Sequence, residues 1–587
     1  MVPRSDYLLH QPSSYAFPYG SAAAPTELGS GANGRGGGAI KLVASGDISV
    51  NGTVTANGAA TGGSRGSGGS IWLVAGGGLS GSGTISAAGR ISGSRSGGGG
   101  RIRLDYDTTS FAGTIDLHVH NGLGTLYDPG MAGTLYDAKR FPVGTAESPA
   151  NVTIGSGEDL CYVFPDDGLT RHWNLTITAK QAGFHAGNLV LHSLSVASGS
   201  SLTFAKYCYT AEDDMQSLVL PADFTVAAGT FVQLPGAEAI PSFSFDSLTV
   251  EAGGILAVGR GDANFINEDA GGTDAIPLGR GTTISCGSAT IAGALSATGQ
   301  GFGIGVNPDN RDGGTAHGGS CEYSNSGGVW RNGYGHFTRP IELGGCWGTN
   351  TRRGYGGGAI KLDVAGTLAL SGTVEANGSY SSAGAGGSIW IRAARITGAG
   401  SLEAISINAT RPGAGGRIAV ESANWNFSGG LSVDYIKHPN NNRNYPGTIF
   451  TNVVCRSSAL GFGHSGPMLA SSYEKEVLNS SILPTWNDTT LGNQAFVLSR
   501  NVDNWSRSRM SWTEGFSLAK DGAGVANTAT YKIDNLTPGA KGTVSVNGVE
   551  SAVRVGSDGA LTVETPLVAG ENTIDINLAT GLTLYVR

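Results

Sequence analysis

Short apolar runs alternate with polar positions along most of the chain, and each run ends in a cluster of Gly, Asn or Ser. IKLVA, ISVNGTVTA, SIWLVA, TISAA and RIRLD, all between residues 40 and 105, are rich in β-branched residues and apolar at every second position. Successive side chains of a strand point to opposite faces, so this period predicts short strands with one apolar face. Residues 137–281 continue in the same style, with NLTIT, NLVLHSLSVASGSSLTF, FTVAAGTFVQL and SLTVEAGGILAV each carrying an apolar pair, a small turn and a second apolar pair. Beyond about residue 465 glycine thins out, and YKIDNL, GTVSVNGVESAVRV, GALTVETPL and NTIDINL alternate as hairpin strands do. Asn547-Gly548 and Asp558-Gly559 are hairpin turn signals there.

The chain also repeats itself. PYGSAAAPTELG, ending at Gly29, matches GYGHFTRPIELG, ending at Gly344. RGGGAIKLVASGDISVNGTVTANG, ending at Gly58, matches YGGGAIKLDVAGTLALSGTVEANG, ending at Gly378. GGSIWLVA from Gly68 matches GGSIWIRA from Gly386, GGRIRLDY from Gly99 matches GGRIAVES from Gly415, and AGTLY from Ala132 matches PGTIF from Pro446. Asn57-Gly58 and Asn377-Gly378 occupy the same turn of both copies, a pair suited to positive φ. The second copy has a lead-in, TISCGSATIAGALSATGQG ending at Gly301, whose counterpart would precede residue 1. The chain is therefore expected to begin inside a repeat, as a piece of a longer protein.

Short regular strands with glycine corners predict a coil that stacks each turn on the last. The expectation is an all-β chain: a parallel β-helix (solenoid) over 1–465, then a small antiparallel β-sandwich with its connector over 466–587. Within the solenoid, two diverged units cover about 1–136 and 282–450, with further turns at 137–281.

Composition narrows the class. Glycine makes up 97 of 587 residues, charged residues 14% and hydrophobic residues 39%. Charge this low excludes a charge-driven disordered chain. Glycine this dense, without a period of three, excludes collagen and disfavours helices. The net charge is −8, which gives no basic groove for nucleic acid. No apolar run approaches the ~20 residues of a transmembrane helix. The six cysteines show no CxxC spacing, so no zinc site is expected, and Cys321 and Cys346 could bridge in an oxidising compartment.

The motif order GGGAIKL, GTVxANG, GGSIW, GGRI, FxG and xGTLY resembles the Gly-rich solenoid repeats of large secreted and cell-surface proteins, similar in style to β-helical passenger and adhesin proteins. The segment with NLTPGAKGTVSVNG is similar to the accessory β-sandwich modules that follow such regions. The resemblance implies an extracellular or cell-surface setting and carries no catalytic residues across.

Residues retained in both copies are expected to serve the fold; these include Lys41/Lys361, Trp72/Trp390, Arg101/Arg417 and Glu27/Glu342. Special chemistry is expected where the copies differ. The leading stretch is 302–353, whose candidates for contacting a sugar are Asp309, Arg311, Asp312, His317, Glu322, Tyr323, Trp330, Tyr334 and His336. Aromatic faces stack on sugar rings and carboxylates accept sugar hydroxyls, and long loops on a rigid frame are where function sits. Three further features are weaker. TIDLHVH places Asp116, His118 and His120 on one face, as a metal or acid–base set would be. Asp262, Asn267, Glu268, Asp269 and Asp274 could offer oxygen ligands to calcium, although an acidic surface turn is the better reading and no other cofactor is expected. Arg260-Gly261-Asp262 matches an attachment tripeptide that chance also produces. Trp486, Trp505 and Trp512 read as core of the C-terminal domain rather than a sugar platform.

The function expected from these readings is a structural or adhesive surface scaffold that contacts polysaccharide, surface glycans or other copies of itself end to end. The alternative is a polysaccharide lyase or glycoside hydrolase on the same frame. A lyase needs a base and a uronate-neutralising group, and a hydrolase needs a carboxylate pair. No catalytic residue can be assigned from sequence.

Overall fold

A computed structural model of the protein describes residues 20–32, 35–61, 64–92, 95–117, 133–137, 139–155, 161–163, 168–185, 187–204, 215–266, 277–302, 317, 321–323, 329–331, 334–336, 338–346, 355–378, 384–407, 413–433, 447–454, 468–473, 496–518, 527–568 and 570–579. These residues form strands, turns and bends, with no helix among them. The chain divides into two compact units, residues 1–241 with 250–259, and residues 242–249 with 260–587.

The first unit is built on parallel pairing. Ala39–Ala44, Ser70–Ala75, Arg101–Asp105, Thr134–Asp137, Cys161–Val163, Gln181–His185, Ser201–Thr203, Phe231–Gln233 and Ile255–Ala257 lie side by side in that order. The alternation seen in sequence decides which side chains stack. Ile40, Ile71, Ile102 and Leu135 share one register position, and the last three have no exposed surface. Parallel strands need crossover connections, and here the connections carry strands of their own. Ile48–Ser49, Gly78–Ser80 and Thr108–Thr109 form one small parallel sheet; Thr53–Thr55, Thr84–Ser86 and Thr114–Asp116 form another. Further along, Ala150–Ile154, Thr170–Ile177, Gly187–Val196 and Met215–Val219 form a four-stranded parallel sheet.

The second unit repeats the arrangement and then changes it. Thr282–Ile291, Ala359–Leu370, Ser388–Gly398, Arg417–Phe427, Thr448–Val454 and Phe496–Trp505 are parallel neighbours. Ile360, Ile389, Ile418 and Ile449 stack in one row, each 9% exposed or less. Ala294–Ser296, Thr373–Glu375, Ser401–Glu403 and Gly430–Ser432 form a second parallel run. At Phe496–Trp505 the sheet changes sense. Arg509–Leu518, Gly570–Leu578, Lys541–Val546 and Val549–Arg554 add antiparallel, so the parallel sheet runs unbroken into antiparallel strands. Met468–Tyr473, Asn527–Asp534 and Leu561–Leu567 make a separate antiparallel sheet. One core joins them, with Val502, Met510, Trp512, Tyr531, Ile533, Val563, Ile574 and Ile576 buried together with Phe450 and Ala419 of the parallel strands. Trp512 is thus core, whereas Trp486 lies outside the described residues.

Two turn expectations are corrected. Asn57 and Asn377 do not take positive φ, and neither do Gly58 and Gly378. The Asn side chain instead reaches the neighbouring turn of chain: Asn57 Oδ1 accepts the Ala88 N–H at 2.6 Å and Asn377 Oδ1 accepts the Ile405 N–H at 2.9 Å. Glycine follows because a Cβ at Gly58 would stand 2.1 Å from the Gly66 carbonyl oxygen, and one at Gly378 would stand 2.2 Å from that of Gly384. Asn547-Gly548 does have the expected left-handed pair, φ 50° and 80°, and closes the hairpin between Lys541–Val546 and Val549–Arg554. Asp558-Gly559 is no hairpin turn, since the strands it joins, Val549–Arg554 and Leu561–Leu567, belong to different sheets.

Candidate functional site

The residues retained in both copies form the same polar lock twice. In the first copy Ser70, Arg101 and Thr134 occupy one register row on adjacent parallel strands; in the second copy Ser388, Arg417 and Thr448 do so. Arginine Nη1 donates to the threonine Oγ1 at 3.0 Å in each case. The serine Oγ donates to the backbone oxygen of the retained glutamate at 2.7 Å, Ser70 to Glu27 and Ser388 to Glu342. The N–H of the preceding residue, Thr26 or Ile341, bonds back to that glutamate's Oε2 at 3.1 Å. A left-handed glycine, Gly20 at φ 84° or Gly335 at φ 92°, passes so close that a Cβ there would lie 2.5 or 2.9 Å from the carboxylate oxygen.

The second lock is deeper and carries an extra histidine. His317, Glu342, Ser388 and Arg417 all have no exposed surface. His317 Nδ1 donates to the Gly386 carbonyl at 2.9 Å, and the ring packs on Tyr334 at 5.0 Å between centroids. Arg417 Nε donates to the Tyr334 carbonyl at 2.9 Å. Burial pushes the His317 imidazole down to about 3, and the Arg417 charge acts in the same direction. Burial pushes the Glu342 carboxyl above its ordinary range, opposed by backbone N–H donors, including those of His336 and Ile341, and by Arg417. His336 also closes a turn, its Nδ1 accepting the Arg339 N–H at 3.3 Å, the place where Ser21 Oγ accepts the Ala24 N–H at 3.0 Å in the first copy.

The retained lysine and tryptophan lie on the same face of these strands, two residues further along. Lys41 sits 3.4 Å from the Trp72 ring centroid and Lys361 4.4 Å from that of Trp390. Each indole N–H donates to a carboxylate one strand away, Trp72 to Asp105 at 2.7 Å and Trp390 to Glu421 at 2.9 Å. In the second copy a row of alternating charge, interrupted by neutral Asn452, crosses the sheet: Asp363, Arg392, Glu421, Asn452, Arg500 and Glu514 share one register position. Its most buried step is Arg500–Glu514, 2.9 Å apart and at most 3% exposed. The first copy has Val43, Val74 and Asp105 at the start of this row. Sequence reading missed the row because register alone aligns its members.

Among the nine sugar-contact candidates, the structure brings three together. His317, Tyr334 and His336 belong to the lock. Glu322 and Trp330 face each other in register on a short antiparallel pair, Cys321–Tyr323 with Val329–Arg331. The side chains of Glu322, Tyr323, Trp330 and Cys321 are outside the description, as are Asp309, Arg311 and Asp312 entirely. Cys346, the other half of the expected bridge, is wholly buried against Phe302, Leu343 and Ala359. Asp116 accepts the Ser86 hydroxyl at 2.9 Å, and His118 and His120 lie outside the described residues. Asp262 pairs with Arg280 at 3.3 Å and accepts the Asn264 N–H, so the aspartate of the Arg-Gly-Asp tripeptide is held internally; Asn267, Glu268, Asp269 and Asp274 lie outside the description. Among the described residues no three His, Cys, Asp or Glu side chains converge as metal ligands, and no helix is long and apolar enough to cross a membrane.

Fold and lock together define an all-β protein of parallel sheets whose duplicated polar residues bond to one another. The chain matches no family model, no curated protein and no solved structure.

Proposed function

We propose that the protein is an extracellular or cell-surface scaffold: a parallel β-solenoid ending in an antiparallel β-sandwich, which contacts glycans or further protein strands rather than turning over a substrate. One observation carries this reading. The polar residues that duplication retained, Glu27/Glu342, Ser70/Ser388, Arg101/Arg417 and Thr134/Thr448, bond to one another inside the protein. A catalytic set must face substrate; these groups are buried or half-buried and engaged. In a stacked architecture each turn contacts only its neighbours, so a buried lock that ties several turns together suits a load-bearing frame.

The test is release of reducing ends and of unsaturated products from a panel of acidic and neutral polysaccharides, with glycan-array binding measured on the same preparation. The scaffold reading expects saturable glycan or self-binding and no release. Release of product at a rate proportional to protein concentration, lost in an Asp309→Ala/Asp312→Ala variant, would replace it with the lyase or hydrolase reading.

A further inference from the structure

One turn of chain occurs in both copies with nearly the same sequence and in different surroundings. In the first unit, residues 37–56 hold Ala39–Ala44, Ile48–Ser49 and Thr53–Thr55, and each is the last strand of its sheet. In the second unit the matching residues 357–376 hold Ala359–Leu370 and Thr373–Glu375, and both strands are covered. Thr282–Ile291 pairs with the first, in parallel, with Thr282 opposite Ile360 and Ile284 opposite Leu362; Ala294–Ser296 pairs with the second.

The consequence is visible in exposure. Ile360 and Leu362 are 0% exposed, whereas their counterparts Ile40 and Leu42 are 36% and 46% exposed and neighbouring Val43 is 64% exposed. Two corner glycines make the same point from the backbone. A Cβ on Gly366 would meet the Gly287 oxygen at 2.7 Å, and one on Gly372 would meet the Gly293 oxygen at 1.9 Å. Their counterparts Gly46 and Gly52 have nothing within 4 Å of a Cβ, and neither takes a positive φ. Nothing in the described residues requires glycine at 46 or 52; a covering turn that bends at the same two corners would.

We propose that this end of the first unit is a docking surface for one further turn of parallel β-strand, with the apolar alternation and two glycine corners of Thr282–Ser296. The proposal rests on the scaffold reading above. Addition to a sheet edge gives affinity through main-chain hydrogen bonds, and the alternate side chains give specificity. An antiparallel mate, including the same edge of a second copy, would not follow the corners at Gly46 and Gly52. One edge strand of the second unit, Val549–Arg554, is antiparallel to its neighbour and carries exposed Glu550 and Arg554, charges that blunt an edge.

The full chain is titrated with a synthetic peptide of residues 280–301 carrying Cys286→Ser, by calorimetry and by amide hydrogen exchange. Saturable binding is expected, with exchange at Ala39–Ala44 slowed about tenfold or more and exchange at Ala359–Leu370 unchanged. Ile284→Asp in the peptide, or Leu42→Lys at the exposed edge of the chain, is expected to abolish both effects. Absence of binding overturns the proposal, and exchange in the free chain then tells what covers the edge. Protection at every dilution assigns it to the chain's own residues 1–19, protection lost on dilution to a second copy, and fast exchange throughout to solvent. Polysaccharide turnover would remove the scaffold reading without altering the peptide result, so the two failures are distinguishable.

Discussion

His317 shows how a residue type suggests one role and its surroundings impose another. In sequence it belongs to a loop rich in groups that suit a sugar. In the fold its Nδ1–H is bonded to the Gly386 carbonyl and the whole ring is buried beside Arg417. The folded protein therefore keeps His317 neutral down to about pH 3, while the unfolded chain protonates it near the ordinary 6.5. Between those values the unfolded state binds more protons, so this group's contribution is fully present above about pH 6.5 and is lost as pH falls. Glu342, Glu421 and Asp137 act oppositely, because burial raises them and their contribution is lost as pH rises through their folded values. The parent curve is composite, and the difference from His317→Asn isolates the histidine. On acidification from neutral pH the melting temperature of the parent is expected to fall more steeply than that of the variant. Parallel curves would show that His317 titrates normally. The two-copy comparison had already assigned Lys, Trp, Arg and Glu to the fold, because matched strings preserve a residue only where both surroundings use it. It could not assign His317, whose counterpart would fall at residue 2, outside the matched strings.

Strands were legible as elements and their contacts were not. The alternation in IKLVA, SIWLVA and RIRLD placed Ala39–Ala44, Ser70–Ala75 and Arg101–Asp105. Glycine density suggested corners with unusual φ, yet close approach between turns explains much of it. A Cβ on Gly447 would stand 1.6 Å from the Gly416 oxygen, while a Cβ on Gly430 would meet nothing within 4 Å. Gly447→Ala is expected to destabilise by about 3 kcal/mol or more, since backbone must move, whereas Gly430→Ala should stay within about 0.5 kcal/mol. Urea unfolding of the two variants checks this; equal midpoints would mean that the turns are not packed so closely. Asn57 and Asn377 teach the same lesson, because an Asn-Gly pair reads as a local turn until a neighbouring N–H is found at its side chain.

At the scale of the molecule, each unit depends on what lies at the edges of its sheets. In the second unit the last parallel strand, Phe496–Trp505, is covered by antiparallel Arg509–Leu518, and the core built there buries Ala419 and Phe450 of the parallel strands. Ending the chain after Val454 would leave Thr448–Val454 as an open apolar edge. Sedimentation velocity is expected to show stronger concentration-dependent association of that truncated chain than of the parent. A monodisperse truncated chain would mean that the antiparallel strands do not act as a terminator.

The sequence by itself determined an all-β chain of short alternating strands, an internal duplication and the set of residues that duplication keeps. These are local properties, set by the two-residue period of a strand and by direct comparison of one segment with another. The glycine-cornered strands also led to the expectation of parallel stacking, and the sheets are parallel. Only the tertiary structure decided that Ser, Arg and Thr from three strands meet in one buried row, and that Asp363, Arg392, Glu421, Arg500 and Glu514 align across the sheet. Register joins residues tens of positions apart, and no local pattern records it. The lead-in of the second copy was legible in sequence, but only the tertiary structure showed that it pairs as a second neighbouring strand, covering Leu362 and leaving Leu42 46% exposed.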